Sequence, residues 1–167
     1  MTGIFAPILE LSELVHAVEQ ERAAGNTIIL TNGCFDLFHV GHARYLSGAK
    51  ALGGTVVTAV NSDKQAHKLK GAGRPVFREH ERAELVSSLR CVDLVTVFYE
   101  PTVEELIRAI RPEIHAKGTD YRVDTVPERD IVAECGGRIA IVGDPKDHSS
   151  TDLFGTLTHA GTDPQRP

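Results

Sequence analysis

The stretch that most limits what this chain can become is Thr31-Asn32-Gly33-Cys34-Phe35-Asp36-Leu37-Phe38-His39-Val40-Gly41-His42. It is set between the apolar run Thr27-Ile28-Ile29-Leu30 and a helical pattern through Ala43, Leu46, Ala49 and Leu52. A strand that delivers the chain through a glycine-bearing loop into a helix mouth is the arrangement by which α/β proteins hold phosphates. Backbone N–H groups and the positive end of the helix dipole converge there. Two histidines lie in this loop, three residues apart, with Gly41 before the second. Their spacing aims two imidazoles at one phosphate and points to a nucleotide-handling enzyme.

The rest of the chain repeats the same alternation. After an unpatterned lead-in, Leu11, Leu14, Val15 and Val18 recur at helical spacing, with Ser12 as a candidate cap and Gly25-Asn26 as the stop. Apolar runs at 55–60, 93–98, 113–116 and 138–142 read as further strands. Helices are expected at about 78–90, from Pro101 to 111, and at 127–134. Lys68 to Pro75 carries helix breakers and cations without an apolar period, so it reads as an exposed basic loop. Five strands alternating with helices predict an α/β fold with one doubly wound parallel sheet, in which the crevice lies beyond the carboxyl ends of the strands. The polar segments 31–42, 61–63, 117–121 and 143–152 all follow strands and fall on that edge. Residues 1–156 are expected to form a single domain, with the 10–25 helix packed on it, and 157–167 a disordered tail.

The charge balance narrows the partners. With 18 basic against 23 acidic residues the formal net charge is −5, so neither nucleic acid nor an anionic membrane surface is an expected partner. Cys34, Cys91 and Cys135 are widely spaced and form no Cys-x-x-Cys pattern, which argues against a disulfide framework or zinc site. A reducing cytoplasm is the expected compartment. No run of about 18 apolar residues suggests a membrane span, and the N-terminus does not read as a leader.

Each candidate residue also has a plainer reading. An i, i+3 histidine pair can be a surface pair or, with Asp36 and Cys34 nearby, part of a metal site. Histidines fixed at a helix N-terminus instead suit donation to a phosphate whose charge grows in a transition state. Gly33 and Gly41 either let backbone approach a ligand or only permit a turn. Lys70 and Arg74 are either phosphate ligands or a solvated cluster, and Lys50 fits a surface lysine as well as a ligand. Ser149, Ser150 and Thr151 have the composition of an ordinary helix cap. Cys34 lacks an evident activating base, so it reads as a packed small residue and not a nucleophile.

The loop resembles the HxGH motif of the nucleotidyltransferase superfamily. Thr31 to Asp36, Val60-Asn61-Ser62-Asp63, Leu69-Lys70-Gly71 with Arg74-Pro75-Val76, Lys117 to Tyr121, and Ser149-Ser150-Thr151 are similar, in order and spacing, to the adenylyltransferase branch that makes ADP-heptose. In that branch the domain often follows a sugar-kinase domain; none is present in these residues, so a free-standing form is expected. The resemblance implies a Rossmann-like nucleotidyltransferase fold. The implied reaction joins a sugar 1-phosphate to the α-phosphorus of ATP, with pyrophosphate leaving. A cytidylyltransferase acting on glycerol 3-phosphate or a related phosphate, or a non-catalytic nucleotide-binding module, is the alternative.

By this resemblance His39, His42 and Lys70 are catalytic. Asn32, Gly33, Cys34, Phe35, Gly41, Lys117, Gly118, Asp120, Ser149, Ser150 and Thr151 contact the nucleotide. Asp36, Asn61, Asp63, Arg74 and Arg82 contact the second substrate. Mg²⁺ is expected, bound through the triphosphate and not by a protein metal site. The nucleoside triphosphate and sugar phosphate are the expected partners, with a homodimer or higher homo-oligomer allowed by the exposed helix faces. Asp152 departs from the family's Ser-Thr-Thr pattern and places a negative charge beside the expected triphosphate.

Overall fold

The computed structural model describes residues 5–144, 151 and 154–156. Five strands, β1 (Ile28–Gly33), β2 (Thr55–Asn61), β3 (Leu94–Phe98), β4 (Ile114–Gly118) and β5 (Arg138–Val142), form one sheet in the order β3-β2-β1-β4-β5. All four pairings are parallel. The doubly wound parallel sheet expected from the alternation is therefore observed.

The helices α1 (Leu11–Ala23), α2 (Val40–Lys50), α3 (Asp63–Lys70), α4 (Glu79–Ser87), α5 (Glu104–Ile110) and α6 (Arg129–Glu134), with a 3₁₀ turn at Val123–Thr125, complete the described elements. Strand side chains alternate between two cores because successive residues point to opposite faces. Ile28, Leu30, Val57 and Ala59 pack against Leu14 and Val18 of α1, Leu106 and Ile107 of α5 and Ile131 of α6. On the other face Ile29 and Val56 meet Ala49 of α2, while Val60 and Val95 join Leu46 of α2 and Ala83 and Val86 of α4. Each Val, Leu or Ile among them, fully removed from water, contributes about 1.5–3 kcal/mol.

Several local expectations change. β1 continues through Asn32 and Gly33, and β4 through Lys117 and Gly118, because these residues pair with Ala59 and Val60 and with Ile141 and Val142. Residues 68–70 belong to a helix, not a loop. α3 is capped by Ser62, whose Oγ accepts the Gln65 N–H, and it ends at Gly71, whose φ of 87° only glycine adopts readily. It buries only Gln65 and Ala66, so there was no apolar period to read. The cap of α1 is Glu10, not Ser12. α4 is shorter than the expected helix, and α5 begins at Glu104, past Pro101. The lead-in is not loose: Leu9 N–H donates to Val95 O at 2.8 Å and Val95 N–H to Pro7 O at 3.0 Å, covering the open edge of β3.

Candidate active site

Sequential strands fill the sheet from β1 outward to β3, after which the chain crosses back and places β4 on the other side of β1. Beyond the carboxyl ends at that crossing lies a cavity of about 580 Å³. Such a switch point is where open α/β sheets bind ligands. Its walls bring together Asn32, Gly33, Cys34, Phe35, Asp36, His39, Gly41, His42, Asn61, Lys70, Lys117, Gly118 and Asp120. Most of the residues singled out from sequence thus converge on one crevice. Asp63, Arg74 and Arg82 are not among its lining. Thr151 is exposed, and Ser149 and Ser150, like the expected tail, lie outside the described residues.

The two histidines begin α2 by bonding reciprocally to its backbone. His39, the N-cap residue, accepts the Gly41 N–H on Nδ1 at 3.1 Å, and His42 Nδ1 accepts the His39 N–H at 3.3 Å. An Nδ1 that accepts carries no hydrogen, so a neutral ring is protonated on Nε2. The two rings lie tilted with centroids 4.0 Å apart, and His42 also meets Phe35 edge-on and Phe38 at a tilt. Burial first, then the neighbouring His39 and Lys70, lower the His42 pKa to about 3. His42 is therefore a neutral donor at physiological pH.

Behind the loop lies a buried scaffold. Asp36 accepts from Arg74 Nε at 2.5 Å and from the N–H groups of Val76 and Phe77 at 3.0–3.1 Å. Burial alone would raise the Asp36 pKa, but the hydrogen bonds from Val76, Arg74 and Phe77 prevail and hold it below the usual carboxylate value. Arg82, 0% exposed, donates to Cys34 O, to Phe77 O at 3.0 Å and to Asp63 Oδ1 at 2.9 Å. The structure thus engages Arg74, Arg82, Asp36 and Asp63 in holding the segment 74–77 and α4 against the histidine loop. Arg74 is buried and not solvated. Lys70, at the end of α3, is exposed at the cavity wall. Lys50, in contrast, bonds Asp93 at 2.6 Å and Gly54 O at 3.1 Å, away from the cavity lining.

On the β4 side Lys117 Nζ lies 3.2 Å from Asn32 Oδ1 and 3.3 Å from Glu128 Oε2, and 4.8 Å from the Tyr121 ring centre. The Asp120 carboxylate lies 2.8 Å from where a Cβ on Gly118 would stand, so only glycine fits that position without a shift. Thr119 Oγ1 donates to Asp144 O at 2.6 Å, linking the ends of β4 and β5. Cys34 Sγ donates to Asn61 Oδ1 at 3.9 Å, and burial raises its pKa, outweighing the nearby cations Lys70, Arg82 and Arg74. That is the environment of a packed thiol.

Sequence reasoning passed over Tyr45, Phe98, Thr102 and Glu128, which line the same cavity, and His115 behind it. Tyr45 had a signal: it follows His42 by three residues on α2 and so shares its face. Its hydroxyl donates to Ala116 O at 2.7 Å. Among the described residues no group of three or more His, Cys, Asp or Glu side chains is placed to hold a metal ion. None of their helices is long and apolar enough to cross a membrane.

Residues 30–153 match the model of the cytidylyltransferase-like family. A bifunctional protein HldE of Desulfatibacillum aliphaticivorans is 47% identical over 149 residues, which cover 89% of this chain and 30% of that protein. The HldE of Geobacter metallireducens is 40% identical over 155 residues, 93% of this chain and 32% of the relative. The chain therefore spans about a third of the length of these relatives. In structure it is similar to a lipopolysaccharide core biosynthesis protein from Thermoplasma volcanium. The TM-score is 0.64 at 27% identity, covering 73% of this chain and all of the other.

Proposed function

This chain belongs to the cytidylyltransferase-like family, and from that premise we propose that it is a nucleotidyltransferase joining a sugar 1-phosphate to the α-phosphate of ATP. The observation that carries the reading is the reciprocal capping of α2, in which both histidines accept backbone N–H groups on Nδ1. Each neutral ring then has its remaining N–H on Nε2, at the positive end of a helix that borders the cavity.

In the reaction an oxygen of the sugar phosphate attacks the α-phosphorus. The new P–O bond forms as the bond from the α-phosphorus to the bridging oxygen breaks, and the electron pair leaves with pyrophosphate. The attacking oxygen is already anionic, so no side chain has to remove a proton from it. Positioning and charge stabilisation therefore carry the rate. His39 and His42 donate to the α- and β-phosphate oxygens, and their bonds strengthen as charge moves toward pyrophosphate. Lys70, exposed at the end of α3, supplies a cation to the phosphates. Cys34, Lys117, Gly118 and Asp120 flank the nucleotide, and Asn61 faces the second substrate.

Mg²⁺ would arrive coordinated by the triphosphate and neutralise part of its charge. Asp36, Glu128 and Asp144 fit that role because they pair with Arg74, Lys117 and Arg44 and leave the phosphates to ligate it. Adenine and heptose are supported by the similarity of the five motifs to the ADP-heptose branch. The similarity to HldE proteins and to a lipopolysaccharide core biosynthesis protein supports the same pathway.

The test is pyrophosphate release from ATP, CTP, GTP and UTP, each paired with heptose, hexose and glycerol phosphates. Turnover is expected with ATP and D-glycero-D-manno-heptose 1-phosphate. Preferential use of CTP with glycerol 3-phosphate would replace this assignment, and nucleotide binding without turnover on any pair would reduce the protein to a binding module.

A further inference from the structure

Between β1 and β4 runs a chain of polar groups, one member of which, His115, has no role in the transfer chemistry. His115 of β4 is 0% exposed, and its Nε2 lies 3.0 Å from Asn32 Oδ1. Lys117, two residues further along the strand and so on the same side of it, brings Nζ to 3.2 Å from that same oxygen. Glu128 Oε2 lies 3.3 Å from the same Nζ.

These contacts determine the orientation of the amide. An ammonium only donates, so the Asn32 atom facing Lys117 has to be the carbonyl oxygen and not the NH₂. The imidazole that shares this oxygen must then donate to it from Nε2, which leaves Nδ1 without a hydrogen. That Nδ1 is buried and meets no hydrogen-bond partner among the described residues. An aliphatic or phenyl side chain would fill the same space with no such uncompensated atom, so packing does not account for a histidine here. Burial, followed by the charge of Lys117, lowers the His115 pKa to about 3, which keeps the ring a neutral donor.

We infer that His115 is a positioning residue: with Lys117 it holds the Asn32 oxygen inward, so that the Asn32 NH₂ is presented to the cavity as a donor to the bound nucleotide. The inference rests on the reading above that the cavity takes a nucleotide. Because two donors pin one oxygen, the amide is oriented before ligand arrives, and binding does not have to freeze it. Asn32 touches the ligand; His115 acts only through it.

The test measures ATP binding by calorimetry, together with KM and kcat for pyrophosphate release. His115→Phe keeps a ring but removes the donor, and should weaken ATP binding by about tenfold, the size of one hydrogen bond. KM for ATP should rise by a similar factor while kcat falls less. His115→Gln, which retains an N–H donor, should recover most of the loss. In an Asn32→Ala background His115→Phe should weaken binding no further.

Wild-type affinity in His115→Phe, or an equal loss with and without Asn32, would overturn the positioning role. Failure of the unaltered chain to bind ATP would instead remove the nucleotide reading, and this inference with it. Should His115→Phe not fold, ¹⁵N spectra of histidine-labelled unaltered protein decide the point: an Nε2–H tautomer is expected, and an Nδ1–H tautomer sinks the proposal.

Discussion

Asp36 and Arg74 form an ion pair with side-chain exposures of 0% and 3%, Oδ2 to Nε at 2.5 Å, across 38 residues of sequence. The pair joins the histidine loop to the segment leading into α4. Val76 and Phe77 add their N–H groups to the same carboxylate, so one side chain fixes the path of four residues.

Replacing Asp36 with Asn should cost about 3–5 kcal/mol, the usual penalty for removing one partner of a buried pair. Urea unfolding with and without the substitution measures this. The Asp36 pKa is depressed on folding, so its stabilisation is present above the unfolded carboxylate pKa of about 3.9 and lost as pH falls through the lower folded value. The Asn variant should lack that acid-dependent part.

His42→Ala should lower kcat by about 10²–10³, the effect of removing one preorganised donor to developing charge, and change ATP affinity far less. Steady-state kinetics beside equilibrium binding separates the two. Weaker ATP binding with kcat unchanged would instead assign His42 to ground-state binding.

The pKa values of His42 and His115, both lowered to about 3, also predict a pH dependence of stability. Rings that stay neutral in the folded state protonate on unfolding, so the stabilisation is complete above the unfolded pKa of about 6.5. It falls as pH drops from there toward 3, by up to about 1.4 kcal/mol per pH unit for each ring. Urea midpoints should decline from pH 7 to pH 4, and His115→Gln should reduce the slope.

Arg82→Lys should unfold the protein nearly as readily as Arg82→Ala. The guanidinium spans Cys34 O, Phe77 O and Asp63, and a single ammonium cannot reproduce that fork. A loss of about 3–5 kcal/mol is expected in each, read by thermal and urea unfolding. An unchanged stability with a raised KM for the sugar phosphate would return Arg82 to direct substrate contact.

Lys70→Ala should behave in the opposite way, leaving stability within about 0.5 kcal/mol because the side chain is exposed. It should lower kcat/KM, with the unaltered enzyme losing its advantage as salt is raised. The same ionic-strength series run on both proteins checks this.

The strands and the convergence of their carboxyl ends were legible because runs such as Ile28-Ile29-Leu30 are buried on both faces and leave no polar alternation. α3 was not legible, since its eight residues bury only Gln65 and Ala66 and its anchors are polar, the Ser62 cap and the bonds of Asp63 and Gln65 to Glu79, Arg82 and Tyr99 O. Candidate ligands were found by type and position, but sequence could not show which charges spend themselves inside the protein. Arg74 and Lys70 stand four residues apart, one buried on Asp36 and the other open to solvent. His115 was hidden in an apolar-looking strand, because nothing local signals that Asn32, 83 residues away, is its partner.

The return of the chain to place β4 beside β1 has a consequence for folding. The first 98 residues contain both histidines and three of the five strands, yet the wall carrying Lys117 is missing until β4 docks. That contact joins strands distant in sequence, so its loop-closure entropy is met before the contact rewards it. Neither half of the chain alone encloses the cavity, so ligand capture reports completion of the sheet. A ligand spanning the crevice would clamp the two halves together, resisting their separation in the intact protein.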